Sequence, residues 1–223
     1  MRFDWIPGIA AAETDAEKRA AAEAAAELVG DGMTVGLGTG STVAFLLPAL
    51  AARGLEIRCV ATSPRTESAA REVGIVVEPF EGLERLDIAI DGADQIAPDG
   101  WLVKGGGGAH TREKIVAAAA ERFVVIADST KRVEAIAAPV PLELLTFGLN
   151  ATLKRIGDVS LRDIGPSPDG GVIADYDGAV GDPAALAQRL AATPGVIDHG
   201  LFAPALVSDV IVARGGEVER LYV

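Results

Sequence analysis

The feature that most constrains this chain is a series of short apolar runs at residues 33–37, 57–61, 75–77, 87–90 and 123–127, each closing in small or polar residues. Runs of this length without polar alternation read as strands buried on both faces, which is the signature of a parallel sheet. The segments between them have helical character. Residues 42–53 form one, 64–73 a second with Ser63 as N-cap and Pro64 at the first helical position, and 111–122 a third. Ahead of the first strand, Thr14 and Glu17 stand at capping-box spacing and open an Ala-rich helix to Val29 that Gly30-Asp31-Gly32 ends. Strand alternating with helix predicts a layered α/β domain.

From about Pro139 the pattern changes. A strand at 142–146, a helix at 149–156 and strands at 160–164 and 172–176 precede a helix at 182–192 and a strand at 196–202. The order βαββαβ predicts a ferredoxin-like unit. A last buried strand at 206–212 is expected to rejoin the first sheet. The expected organisation is therefore a large domain of residues 1–137 and 204–223, with a small domain of 138–203 inserted near its end.

Composition limits the function classes. The chain has 223 residues with 20 Lys+Arg against 32 Asp+Glu, a formal charge of −12, which argues against a nucleic-acid or anionic-membrane partner. The longest apolar stretch, 43–52, is about half the roughly 20 residues a spanning helix needs and contains Pro48. Asp4, Pro7 and Gly8, followed by Glu13 and Asp15, do not resemble a signal peptide. The single cysteine, Cys59, lies in an expected strand as a small buried hydrophobe, excludes an intramolecular disulfide and fits a reducing compartment.

In an open parallel sheet, ligands sit beyond the carboxyl ends of the strands, so the residues that end each run are the first candidates for chemistry. After the first strand comes Gly36-Leu37-Gly38-Thr39-Gly40-Ser41-Thr42, whose amides and hydroxyls suit a phosphate, although it matches neither the dinucleotide fingerprint nor a P-loop. Thr62-Ser63 ends the second. Asp91-Gly92-Ala93-Asp94 ends another, with two carboxylates able to divide acid and base roles. No cluster of His or Cys accompanies them, so no metal is expected. Four consecutive glycines follow Lys104, a cation suited to a developing oxyanion, and Glu113 lies two residues after Thr111, the expected helix cap. Lys131, after Asp128-Ser129-Thr130, adds positive charge near the same sheet edge. Each block also has a plain structural reading as a turn, a cap or a solvated charge.

Taken together, Gly38-Thr39-Gly40-Ser41-Thr42, Asp91-Gly92-Ala93-Asp94, Lys104 with its glycines, Thr111-Arg112-Glu113-Lys114, Ala127-Asp128-Ser129-Thr130-Lys131 and Pro194-Gly195-Val196 through His199-Gly200-Leu201-Phe202 resemble the type A ribose-5-phosphate isomerase family over nearly the whole chain. The resemblance implies a Rossmann-like domain carrying a small α+β domain and interconversion of ribose 5-phosphate and ribulose 5-phosphate in the non-oxidative pentose phosphate pathway. It implies a metal-free, cofactor-free route through a cis-enediolate, a cytoplasmic enzyme and a homodimer or dimer of dimers. By the same resemblance, Glu113 is the base between C1 and C2, Asp91 with Asp94 assists ring opening, and Lys104 stabilises the enediolate. Thr39, Gly40, Ser41 and Thr42 form the substrate loop, with Lys18 and Lys131 near the phosphate. Gln95, Gly108 and His110 depart from the usual pattern of Glu, Ala and an apolar residue. A sugar-phosphate sensor would need a DNA-reading module that the sequence does not suggest; a related sugar-phosphate deaminase or lactonase differs by substrate, and a nicotinamide dehydrogenase by cofactor binding.

Overall fold

The computed structural model describes residues 7–222, so Asp4 lies outside the described residues. The elements, in chain order, begin with α1 (Pro7–Ala26), β1 (Thr34–Leu37), α2 (Val43–Ala52), β2 (Arg58–Ala61), α3 (Pro64–Glu72) and β3 (Ile88–Gly92). Next are β4 (Gln95–Ile96), β5 (Leu102–Val103), α4 (His110–Ala119), β6 (Phe123–Asp128), β7 (Val140–Leu144), α5 (Leu149–Ile156) and β8 (Val159–Leu161). The chain continues through β9 (Val172–Tyr176), α6 (Pro183–Ala191), β10 (Val196–His199), β11 (Leu201–Phe202), β12 (Asp209–Arg214) and β13 (Glu217–Tyr222).

Six strands form the main sheet in the order β13-β12-β6-β3-β1-β2, parallel except for the β12–β13 hairpin. Its inner strands β1, β3, β6 and β12 are largely apolar because both faces are covered. Successive residues alternate between two cores: Ile88, Ile90, Val124, Ile126 and Ile211 pack with the alanines of α1 and the leucines of α2, while Ala89, Phe123, Val125, Val210 and Val212 pack with Val116 of α4 and Phe202. Strand order reverses at β1, where β2 lies on one side and β3 on the other. That switch point is the expected place for a crevice.

After β6 the chain leaves this sheet and builds a four-stranded antiparallel sheet, β10-β7-β9-β8, before β12 returns beside β6. Numbered within the unit, its order is 4-1-3-2, as expected for βαββαβ. A third, three-stranded sheet, β11-β5-β4, lies between them.

Several expected elements differ. The first helix extends back to Pro7, so Thr14 lies inside it rather than at its cap. The run at 75–77 makes one isolated parallel bridge, Cys59 to Val77, and no strand. The expected strand at 196–202 is divided at Gly200. Its N–H donates to Pro141 O while its carbonyl accepts Lys104 N–H, and a Cβ there would stand 2.2 Å from Lys104 O. Only glycine allows the chain to pass from one sheet to the other at this point. Helix α4 begins at His110 with Ala109 before it, so Thr111 is not its cap; the Thr111 hydroxyl donates to Glu143 instead.

Candidate active site

The carboxyl ends of β1 and β3 meet the glycine loop after β5 and the first turn of α4 around a cavity of about 220 Å³. Thr39, Gly40, Ser41, Thr42, Asp94, Lys104, Glu113 and Lys131 line it, together with the Gly105–Gly107 backbone. Its size suits a small polar ligand. A larger cavity, about 560 Å³, lies against Arg112, Ile115 and Phe80 and contains none of the expected site residues.

At the base of the small cavity is a buried triad of charges. Lys104 Nζ stands 2.8 Å from Asp91 Oδ2 and 3.1 Å from Glu113 Oε2, with side-chain exposures of 2%, 4% and 3%. The ammonium also donates to Gly92 O. Asp91 Oδ1 accepts the N–H groups of Thr39 at 3.0 Å and Gly92 at 2.7 Å, which ties the β1 loop to the end of β3. The approach is so close that a Cβ on Gly38 would fall 1.9 Å from Asp91 Cγ. Glycine is required there for space.

Burial dominates the ionisation of this group. Desolvation raises Asp91 against the lowering effect of Lys104. Desolvation, reinforced by the Asp91 charge, pushes Glu113 up to about 8 despite Lys104. Burial alone would lower Lys104, but the two carboxylates outweigh it and hold the ammonium charged. The result is a permanent cation beside a carboxyl group poised near neutrality, the combination needed for proton abstraction next to a developing oxyanion.

The β1 loop is braced from the other side by hydroxyls. Thr39 Oγ1 lies 2.8 Å from both Thr62 Oγ1 and Ser63 Oγ, while Thr66 donates to Gly38 O at 2.9 Å. Ser63 is thus both the N-cap of α3 and a support for Thr39. Across the cavity, Asp94 Oδ2 accepts Gly106 N–H at 2.8 Å. Gln95 bonds both ways with the Ala137 backbone.

Two expected site residues do not line the cavity: Asp91, buried behind Lys104, and Lys18. Lys18 lies on α1 with its ammonium 3.3 Å from Asp15. Its neighbour Glu17 accepts from Ser129 N at 2.9 Å and Ser129 Oγ at 2.8 Å, docking α1 on the turn that carries Lys131. Thr66 and Arg162, whose guanidinium reaches the glycine loop, were not evident from sequence; Arg162 contacts that loop from 56 and 57 residues away. Cys59 is buried, its thiol pushed up to about 12 by desolvation. Among the described residues, no group of three or more His, Cys, Asp or Glu is arranged to hold a metal, and no helix is long and apolar enough to cross a membrane.

Comparison with known proteins is consistent along the chain. The family model for Ribose 5-phosphate isomerase A (phosphoriboisomerase A) matches residues 58–217. A ribose-5-phosphate isomerase A from Caulobacter vibrioides is 45% identical over 224 residues, covering 93% of this chain and 98% of that protein. One from Halobacterium salinarum is 46% identical over 198 residues, covering 83% and 87%. Among solved structures, ribose 5 phosphate isomerase A from Neisseria gonorrhoeae superposes with a TM-score of 0.89 at 32% identity, over 94% of this chain and 97% of that one. A D-ribose-5-phosphate isomerase in complex with phospho-erythronic acid gives 0.88 at 32% identity, covering 94% and 99%.

Proposed function

The chain belongs to the ribose 5-phosphate isomerase A family, and from that premise we propose that it interconverts D-ribose 5-phosphate and D-ribulose 5-phosphate through a cis-enediolate. It is an aldose–ketose isomerase. The observation that carries the mechanistic reading is Lys104 held between Asp91 and Glu113 at the cavity floor.

In the aldose-to-ketose direction, Glu113 removes the proton from C2 and the pair of electrons forms the C1–C2 double bond, leaving negative charge on O1. Lys104 faces that charge. Glu113 then returns the proton to C1 while the O2 hydroxyl proton passes to O1, giving the C2 ketone and the C1 alcohol. Atoms and charge balance without a cofactor. Asp91, raised by burial, is suited to exchange a proton with the ring oxygen as the sugar opens, with Asp94 beside it.

The loop of Thr39, Gly40, Ser41 and Thr42 offers amides and hydroxyls to the substrate, and Lys131 supplies positive charge for the phosphate. Lys18 approaches the phosphate from α1, with its pairing to Asp15 exchanged on binding. The phospho-erythronic acid bound by the related structure suits this assignment, since it carries a phosphate at one end and at the other a carboxylate with two coplanar oxygens, as an enediolate has. We further assign the chain to the cytoplasm as a homodimer or dimer of dimers in the non-oxidative pentose phosphate pathway, with residues 138–203 as a small domain inserted into 1–137 and 204–223. The acidic surface suits no nucleic-acid or membrane partner.

The test is direct conversion of ribose 5-phosphate by the purified protein, with and without excess chelator and with glucosamine 6-phosphate as control. Chelator-resistant conversion of the pentose is expected. Binding of ribose 5-phosphate without conversion would instead make the chain a sensor or an enzyme for another phosphosugar.

A further inference from the structure

We propose that Arg162, outside the cavity, is a positioning residue for the reaction: it clamps the carbonyls of Gly105 and Gly106 so that the Gly107 amide faces the substrate. The proposal rests on the reading of this cavity as the isomerase site.

A run of four glycines has no side chain to hold it and the largest backbone freedom of any sequence. Fixing each residue costs backbone entropy, so an ordered glycine loop needs external ties. The loop has three. Gly108 N–H donates to Gly105 O at 3.0 Å, Gly106 N–H donates to Asp94 at 2.8 Å, and Arg162 Nη1 donates to Gly105 O at 2.9 Å and Gly106 O at 3.1 Å. In a trans peptide the carbonyl and the N–H point in opposite directions. The plane joining Gly105 to Gly106 is therefore held at both ends, by Arg162 on one side and Asp94 on the other. The next plane is held by Arg162 at the Gly106 carbonyl. Its N–H, that of Gly107, is turned the opposite way, and Gly107 lines the cavity. This gives a fixed donor where the substrate carries negative charge.

Arg162 can do this because it is itself fixed. Nε and Nη2 form a fork on the Asp175 carboxylate of β9, at 2.7 and 2.6 Å. Four donors of the planar guanidinium are thus engaged at once, two toward the small sheet and two toward the loop. Lysine has neither the plane nor the reach for both. Without the clamp, either glycine peptide flips at little steric cost and presents a carbonyl oxygen to an anion.

The experiment compares the wild type with R162A, R162K and D175N. It measures kcat and KM for ribose 5-phosphate, affinity for phospho-erythronic acid, and melting temperature. R162A is expected to lose tenfold or more in kcat with KM changed less than threefold, and to bind the acid about tenfold more weakly. R162K should recover little of the loss. Guanidinium ion at millimolar concentration should raise kcat of R162A several-fold where ammonium does not, an effect that a purely structural role would not produce. D175N, which leaves Arg162 present but loosely held, should fall between wild type and R162A, and it carries the test if R162A does not fold. Folded R162A with kcat, KM and acid affinity within twofold of an active wild type overturns the proposal. A wild type that binds the acid but does not isomerise the sugar overturns the functional reading alone, and weakened acid binding in R162A then still supports the clamp. A wild type that does neither overturns both.

Discussion

In the proposed mechanism Glu113 is the base, and burial is what suits an ordinary helix-start glutamate to that role. In the first turn of α4 it meets the favourable end of the helix dipole, which on an exposed surface would keep it ionised. Here desolvation and the Asp91 charge prevail, and its carboxyl is pushed up to about 8. A base must be deprotonated to act, so kcat/KM is expected to rise with pH to a plateau above about 8. Below that value it should fall by about tenfold per unit. Glu113→Gln keeps the size and removes the base: kcat should drop by several powers of ten while phospho-erythronic acid still binds. Steady-state rates from pH 5.5 to 9 and an acid titration check both points, and near-normal turnover in the variant would remove Glu113 from the role. Lys104 could not be replaced so cleanly, because its loss would strand two buried carboxylates at a cost of about 3–5 kcal/mol.

At the scale of elements, what the sequence makes legible is local and periodic. The five parallel strands β1, β2, β3, β6 and β12 are visible in apolar runs, and α3 and α6 in their Ser63-Pro64 and Asp182-Pro183 starts. The glycine, Asp91 and Glu113 blocks stand at the ends of those same elements, which is why the site could be assembled from sequence and family resemblance. Hidden elements are those that depend on distant partners. Strands β4, β5 and β11 are two residues each and exist because Lys104 and Gly200 bridge two sheets. The edge strand β13 is largely exposed and shows no apolar run. Arg162 reads as a surface cation until the fold brings it to the glycine loop. Glu17 is a further case, since its bonds to Ser129 and Gly215 join α1 to residues 112 and 198 positions away. Burial is the largest single influence and raises its carboxyl, but those hydrogen bonds and the Arg214 charge together outweigh it and hold the carboxylate below the usual range. Glu17→Gln puts an amide N–H against a backbone N–H and loosens the turn ending in Lys131. KM for ribose 5-phosphate should rise several-fold with kcat within twofold, as measured by initial rates. An unchanged KM would detach α1 from phosphate binding.

Across the whole molecule, the junction between the parallel sheet and the four-stranded sheet is polar inside. Lys114 of α4 pairs with Asp198 of β10 at 2.6 Å and donates to His199 O. His199 Nδ1 accepts Leu201 N–H at 3.3 Å, which requires the neutral ring. His110 is fully buried, and neither ring nitrogen has a hydrogen-bond partner. Burial first, with Lys114 adding to it and Asp198 opposing, depresses both histidines to about 4. In the unfolded chain each titrates near 6.5, so between about 6.5 and 4 the unfolded state binds more protons. Stability from the two rings is complete above 6.5 and is lost as pH falls through 4. Glu113 acts in the opposite sense, its raised value removing stability as pH rises from about 4.5 to 8. Asp91, raised by burial, acts in the same sense as Glu113, but both belong to the cavity triad; at the junction itself the two histidines make acidification from pH 7 to 5 destabilising. His110→Leu should lessen that loss. It replaces an unpartnered polar ring with an apolar side chain, at no cost in hydrogen bonds. The variant is expected to melt at or above the wild-type temperature at pH 7, with the difference widening at pH 5. Thermal unfolding at both pH values checks this, and a constant difference would mean that His110 does not contribute to the acid sensitivity of the junction.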